Sequence, residues 1–295
     1  MSIQIRNYTS ETGYSDDYKK ICDFLIRINH DKVIAPNCLW ARWVWQFGPH
    51  MSMTQSRIGI VEDNGKIAGL VSYDHGLGDA YFCIDTDYDY FKPQLIDFAI
   101  NNLSLNGNIR MTIPDGDLAY QQAAIQKGLI PTTENLSTAR IDINDNDYVL
   151  PEGYTIMSFA ESSFDVDKYF AAIWKGFDNK RERDEVEMES AKNRIGFDAP
   201  YLDLDLRILV VAPNGDYAAH CGMWCIPGSG YAYVEPVFTL PEYRKMGLGK
   251  AAVLEGVNRC AKLGAKQAYV LTSQQFYYNI GFYPILSETW WVYKG

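Results

Sequence analysis

The sequence lacks any apolar run approaching the roughly 18 to 20 residues that a membrane span needs, so no membrane association is expected. From Met1 to Gly13 there is no basic segment followed by an apolar stretch, so no secretion signal is expected either. It also lacks positive charge. Lys and Arg number 27 against 37 Asp and Glu, a net charge of −10, which argues against nucleic acid as a partner because phosphate neutralisation dominates such binding. An acidic field suits a cationic small substrate or a basic peptide better. Metal-ligand spacing is missing as well: the six cysteines form no C-x-x-C and only four histidines are present, so no metal is expected. Cys221 and Cys225, four apart in a strand-like stretch, share one face and read as buried, reduced thiols of a cytoplasmic protein.

What remains is ordinary globular composition, 47% hydrophobic and 22% charged, with a heavy aromatic share of 14%. At 295 residues the chain is long enough for two domains. The sequence contains its own repeat. Asn64-Gly65 lies between the apolar runs Arg57–Val61 and Lys66–Tyr73, and Asn214-Gly215 recurs 150 positions later between Leu206–Val211 and Tyr217–Cys225. Asn-Gly between strand-like runs is a strong hairpin signal, since both turn positions favour positive φ. After each hairpin come a strand, a helix, a strand and a second helix closed by glycine, at Gly128-Leu129 and at Gly281-Phe282, 153 positions apart. Each hairpin is preceded by a short strand and helix, Ile3–Tyr8 with Asp16–Ile28 and Tyr154–Phe159 with Ser163–Trp174. Two copies of β-α-α-β-β-β-α-β-α-β follow, residues 1–150 and 151–295, with a boundary near Tyr148 to Gly153.

The second copy carries a loop suited to phosphate. Arg244-Lys245-Met246-Gly247-Leu248-Gly249-Lys250 joins a strand to a long amphipathic helix. Glycines let the backbone approach a ligand, a helix N-terminus presents unpaired N–H groups, and Arg244, Lys245 and Lys250 add charge. It is not a P-loop, for there is no G-x-x-x-x-G-K-[ST]. Nor is it a dinucleotide fingerprint, for the third glycine and the downstream acid are missing. By itself G-x-G is also compatible with a plain helix start.

The loop follows a strand ending Val237-Phe238-Thr239-Leu240-Pro241, and Phe276-Tyr277-Tyr278-Asn279-Ile280-Gly281-Phe282 follows it, with 28 positions from Gly249 to Tyr277. These linked motifs resemble those of the GCN5-related N-acetyltransferase (GNAT) family, V-x-P-x-x-R-x-x-G-x-G followed by an aromatic-Tyr-x-x-x-Gly-Phe block. Thr239 stands where the family has Val. The resemblance is tight over residues 231 to 283 and extends over the C-terminal half by topology. It implies an α/β fold with a mixed sheet, in which two strands splay apart and acetyl-CoA lies in the gap. The backbone of Val237, Phe238 and Thr239 would then border the pantetheine arm, the Val237 amide polarising the thioester carbonyl. The amides from Lys245 to Lys250 would hold the pyrophosphate behind Arg244, and Ser273 would stand near the position of a cofactor-touching Asn.

Tyr277 takes the place of the family's general acid; its other reading is a core aromatic on a short helix. The family's usual strand carboxylate falls at Tyr233, so the base is sought at Glu235, two residues on, whose other reading is a structural acid. His220 on the preceding strand is an alternative base or a satisfied sheet histidine.

The first copy reads Asp85-Thr86-Asp87-Tyr88-Asp89-Tyr90-Phe91 where the loop should be, with no glycine and three carboxylates, and Ala124 opposite Tyr277. Tyr90 and Ile96 at the sixth and twelfth positions exclude an EF-hand. A degenerate copy without acetyl-CoA of its own is expected. The aromatic run Leu39–Phe47 reads as core or interface packing, or as a stacking surface for a cationic substrate. The charged run from Asn179 to Asn193 reads as a solvated helix face near an acceptor loop. The expectation is therefore two tandem acyltransferase folds with one working site. That site would move an acetyl group to a primary amine of a small molecule or peptide within a ternary complex, in a monomer or homodimer. The rival is a non-catalytic acyl-CoA-binding sensor or scaffold. Aminoacyl transfer from tRNA is disfavoured by the charge and by the intact loop.

Overall fold

The structure is a computed structural model that describes residues 3–9, 13–48, 55–74, 76–144, 146–181, 183–194 and 199–295. Both halves follow the element order expected from the repeat. The first runs β1 (Gln4–Asn7), α1 (Asp16–Asn29), α2 (Trp40–Phe47), β2 (Gly59–Asp63), β3 (Lys66–Ser72), β4 (Asp79–Ile84), α3 (Lys92–Leu103), β5 (Asn108–Pro114), α4 (Leu118–Gln126) and β6 (Ile130–Asp142). The second runs β7 (Thr155–Ser158), α5 (Val166–Gly176), α6 (Glu185–Arg194), β8 (Arg207–Val211), β9 (Tyr217–Cys225), β10 (Tyr231–Thr239), α7 (Leu248–Lys262), β11 (Gln267–Leu271), α8 (Gln275–Asn279) and β12 (Tyr283–Lys294).

The chain forms two compact units that are discontinuous in sequence. The first comprises Met1–Ala139 with Leu271–Gln275 and Tyr283–Gly295, and the second Arg140–Val270 with Phe276–Phe282. The last strand thus belongs with the first unit, where β12 pairs antiparallel with β5 from Glu288↔Pro114 to Lys294↔Asn108. A division into 1–150 and 151–295 places that strand with the second copy. The exchange leaves no trace in the order of elements, which is why the repeat does not signal it. Strand order is β1-β2-β3-β4-β5-β12-β6 in the first unit and β11-β10-β9-β8-β7 in the second.

Local chemistry explains the elements. Ser15 caps α1 by accepting from Tyr18 N at 3.2 Å, and Asp16 and Asp17 favour the positive end of the helix. The first hairpin turns through Asn64 and Gly65, both at positive φ (50° and 80°), the geometry an Asn-Gly hairpin demands. In the second hairpin Gly215 takes φ 90°, while the Asn214 amide holds the Asp216 carboxylate at 2.8 Å. Gly128 (φ 82°) and Gly281 (φ 108°) close α4 and α8 identically, with Leu129 N donating to Ala124 O and Phe282 N to Tyr277 O, each at 3.0 Å. That five-residue return bond is the Schellman closure.

Trp40, Trp43 and Phe47 of α2 are core residues at 1–3% exposure, which resolves the aromatic run as packing. In the second unit Phe159, Tyr169, Phe170, Leu209, Tyr217 and Phe238 form the core beneath α5. The charged run lies on exposed α6 and its approach, where Arg181 Nη1 reaches Glu187 Oε2 at 2.6 Å; Glu182 lies outside the described residues. All six cysteines are free and buried. Among the described residues no helix is long and apolar enough to cross a membrane, and no group of three or more potential ligands could hold a metal ion.

Candidate active site

The site of the second unit begins with two irregularities in β10. It pairs with β11 in parallel only at Tyr231↔Gln267, Ala232↔Ala268 and Tyr233↔Tyr269, so the strands part beyond Tyr233. On its other edge the register with β9 shifts between Val234 and Val237, a bulge spanning Glu235-Pro236, whose peptide bond is cis. The Glu235 carbonyl there accepts from Trp224 Nε1 at 2.8 Å and Arg207 Nη1 at 3.2 Å instead of from the ladder. Room for this comes from Gly222: a Cβ there would strike Arg207, the Glu235 carbonyl and Pro236 Cδ.

Beyond the bulge the ladder resumes with Val237↔Cys221, Phe238↔His220 and Thr239↔Ala219, and Leu240 N donates to Ala218 O at 2.9 Å. Bonded and non-bonded pairs alternate in an antiparallel ladder. Leu240 and Phe238 therefore spend their backbone groups on β9, while those of Val237 and Thr239 point the other way, into the gap left by β11.

The glycine loop closes the end of this gap. Lys245 (φ 66°) and Gly247 (φ 83°) both take the left-handed conformation, which folds successive N–H groups toward one side. Gly247 is the N-cap of α7 and no side chain caps the helix, so its first amides are offered outward. A Cβ at Gly247 would meet nothing within 4 Å, whereas one at Gly249 would lie 2.7 Å from Thr239 Oγ1, so α7 starts hard against the end of β10. Arg244 braces the loop: Nε donates to Thr239 O at 3.1 Å, Nη2 to Gly176 O at 3.1 Å, and Nη2 pairs with Asp178 at 2.9 Å. Lys245, Met246 and Lys250 are exposed, and Leu248 is buried.

Tyr277 on α8 is buried at 7% exposure and packs against Phe276 and Phe282 at centroid distances of 5.0 and 5.4 Å. Burial pushes its phenol above the ordinary tyrosine range, with Cys221 and Glu235 adding to the effect, so the hydroxyl keeps its proton at neutral pH. Glu235 is half-buried and accepts a 2.6 Å hydrogen bond from the Tyr233 hydroxyl. The residue in the family's carboxylate position thus holds the neighbouring carboxylate, a link that alternation alone does not reveal. His220 is fully buried, with Nδ1 at 2.8 Å from Ile208 O and Nε2 at 3.4 Å from Tyr169 OH. Desolvation, then Arg207, push its pKa down to about 3, so it is a neutral core histidine and the alternative base role fails. Ser273 lies exposed in the loop between β11 and α8, within the segment that clusters with the first unit.

Arg207 is the polar residue that sequence reading passed over. At 5% exposure it stacks its guanidinium 3.9 Å over Trp224 beneath the bulge, and burial lowers its pKa to about 10. Its one visible signal is a lone arginine opening the apolar run Ile208–Val211.

Residues 168–284 match the family model described as acetyltransferase (GNAT) family. That stretch is a GNAT domain. A search of curated protein sequences finds no match. Among solved structures, a tandem GNAT protein from the clavulanic acid biosynthesis pathway superposes with TM-score 0.61 at 13% identity, covering 99% of this chain and 98% of that one. A GCN5-related N-acetyltransferase from Sphaerobacter thermophilus gives 0.58 at 12% identity, with 99% and 95% covered. A GNAT-family acetyltransferase from Colwellia psychrerythraea gives 0.58 at 10%, with 99% and 100% covered. At such identities the likeness establishes the fold, and the fold of the chain is that of tandem GNAT proteins.

The first unit keeps the GNAT topology without the loop. Thr86–Phe91 is a short 3-10 turn, and Phe91 precedes α3 in the right-handed conformation. Asp85 is tied to Arg27 at 2.8 Å and Asp89 to Lys92 at 3.2 Å. Ala124 is fully buried.

Proposed function

We propose that the second unit is an acetyl-CoA-dependent N-acetyltransferase that moves an acetyl group to a primary amine of a small molecule or peptide. The observation that carries this reading is the orientation of Val237 and of the Thr239 amide, which face the gap where β11 parts from β10, a gap ending at a left-handed glycine loop whose Arg244 takes the Thr239 carbonyl. An extended pantetheine-like chain could add there as a strand. Fit is favourable at both ends: the uncapped start of α7 with Lys245 and Lys250 suits a pyrophosphate, and Gly247 leaves open space before it.

Acetyl-CoA would supply the activated acetyl group as co-substrate. The Val237 N–H is aimed to hold a developing oxyanion. Tyr277, kept protonated by burial, would give its proton to the departing thiolate. Glu235, positioned by Tyr233, would draw the proton from the amine through a water. Residues 1–150 would form the degenerate copy and 151–295 the working one, with the amides from Lys245 to Lys250 completing the cradle and Ser273 at its margin; Phe238, expected there from the sequence, drops out because its backbone pairs with β9 and its ring lies in the core. A cytoplasmic monomer or homodimer accords with six reduced thiols.

The Tyr233–Glu235 bond favours the rival reading in one respect, since it occupies one of the two carboxylate oxygens that a base would use. Release of free thiol from acetyl-CoA, followed across a panel of primary amines, separates the two. An enzyme turns over with at least one amine, whereas a sensor binds acetyl-CoA and releases none.

A further inference from the structure

The strands also part in the first unit. β4 and β5 pair only at Asp79↔Arg110 and Ala80↔Met111. Asp85 N donates to Ala68 O at 2.8 Å on the β3 side, so by alternation Phe82 and Ile84 turn their backbone groups toward the gap. The gap opens into a cleft of about 260 Å³ lined by Asn37, Phe82, Ile84, Tyr120, Leu286 and Glu288, among others. That lies near the lower end of ligand-pocket volumes, roughly 300 Å³, so any ligand is small. The three carboxylates Asp85, Asp87 and Asp89 and the absence of glycine rule against a pyrophosphate here.

The polar groups in this cleft are incompletely matched. Tyr120 is only 5% exposed, and its buried hydroxyl has no partner among the described residues. The Asn37 amide donates to Glu288 Oε2, which leaves Asn37 Oδ1 as a buried acceptor without a partner. Lys92 is committed to Asp117 at 2.6 Å and Asp89 at 3.2 Å and lies 5.5 Å over the Tyr120 ring. Buried polar atoms of this kind are normally satisfied. Asn37 Oδ1 lacks a donor, and the Tyr120 oxygen can accept from one, in surroundings where carboxyl groups outnumber the one cation among the lining residues.

We propose that this cleft binds a small organic primary ammonium ion, held by Glu288, Asn37 Oδ1 and the Tyr120 hydroxyl between the apolar walls of Phe82, Ile84 and Leu286. The site is separate from the proposed acetyl-CoA gap and stands whether or not that reading holds. An ammonium brings three donors and no acceptor, matching Asn37 Oδ1, a Glu288 carboxylate oxygen and the acceptor side of the Tyr120 oxygen, and its alkyl stem suits the walls. Burial, then Asp115, raise the Glu288 carboxyl to about 8 while Arg42 opposes them. Tyr120, Cys83, Asp117, Asp89 and Lys92 also face the cleft. A bound cation would ionise Glu288 and expel its proton, so binding tightens as pH rises from 6 toward 9, below the titration of an alkylamine near 10.4.

The test is calorimetric titration of the full chain, without acetyl-CoA, using n-butylamine, 1,4-diaminobutane and benzylamine beside n-butanol and benzyl alcohol. We expect one amine per chain, bound at least tenfold tighter than its alcohol, with a heat that varies with buffer ionisation enthalpy. Glu288→Gln should weaken it at least tenfold. Tyr120→Phe, which removes one oxygen and keeps the ring, should weaken it at least threefold, and Gly247→Glu, in the other unit and free of any clash, should change nothing. The proposal is overturned if no amine outbinds its alcohol, if Glu288→Gln and Tyr120→Phe both leave the affinity intact, if Gly247→Glu abolishes binding, or if acetyl-CoA displaces the amine in that variant.

Discussion

Gly247 separates folding from ligand binding. It sits at φ 83° with open space where a side chain would start, so substitution meets a backbone penalty and no clash. Alanine in the left-handed region costs roughly 1–2 kcal/mol, offset by about 0.4–1 kcal/mol from a less flexible unfolded chain, leaving a loss of about 1 kcal/mol. Glutamate adds a carboxylate at the start of α7, where the helix dipole favours it by about 0.3–1 kcal/mol. Gly247→Glu should therefore be no less stable than Gly247→Ala. Binding should respond oppositely, because the carboxylate would compete for the amides and repel a pyrophosphate. Acetyl-CoA at 100 times its Kd stabilises a folded protein by about 2.7 kcal/mol. A hundredfold weaker Kd at that concentration leaves only about 0.4 kcal/mol. Urea unfolding with and without acetyl-CoA reads both quantities. The reasoning is refuted if Gly247→Glu keeps the full ligand-induced stabilisation, or if Gly247→Ala loses it.

Tyr277→Phe keeps the ring between Phe276 and Phe282 and deletes the proton donor. Thiol release with a productive amine should fall about 10²–10⁴-fold while acetyl-CoA affinity stays within threefold, and an unchanged rate would remove Tyr277 from the chemistry. Gly222→Ala would press a methyl onto the Glu235 carbonyl and Pro236 Cδ, at 2.5 and 2.9 Å, and should lower stability by about 1–3 kcal/mol in urea titration. Glu288, raised in the folded state to about 8 from 4.5, binds a proton there that the unfolded chain gives up. Its contribution to stability is present below pH 4.5 and declines by up to about 1.4 kcal/mol per unit as pH rises toward 8. Glu288→Gln should flatten that part of the stability profile, and an unaltered slope would contradict the assignment.

The topology was legible because its signals are local. Asn-Gly turns, the glycine closures at Gly128 and Gly281, and the Gly247 loop each act within a few residues of chain. The parting of β10 from β11 is inferred from family likeness; the residues that accommodate the Glu235-Pro236 bulge on the opposite edge, Gly222 and Arg207, lie on two other strands. Long-range placement is also why the pairing of β12 with β5 is not foreseen. Its alternating pattern marks a strand but does not say which neighbour it will pair with. Tyr233 illustrates the same limit: its identity shows a missing carboxylate, while its hydroxyl bond to Glu235 appears only in three dimensions.

The central claim is one acyl-CoA site per chain, in the second unit, and the most direct measurement is calorimetric titration of acetyl-CoA into the purified protein. The account predicts a stoichiometry of one, abolished by Gly247→Glu in a protein that remains folded. Two sites, or none, would contradict it.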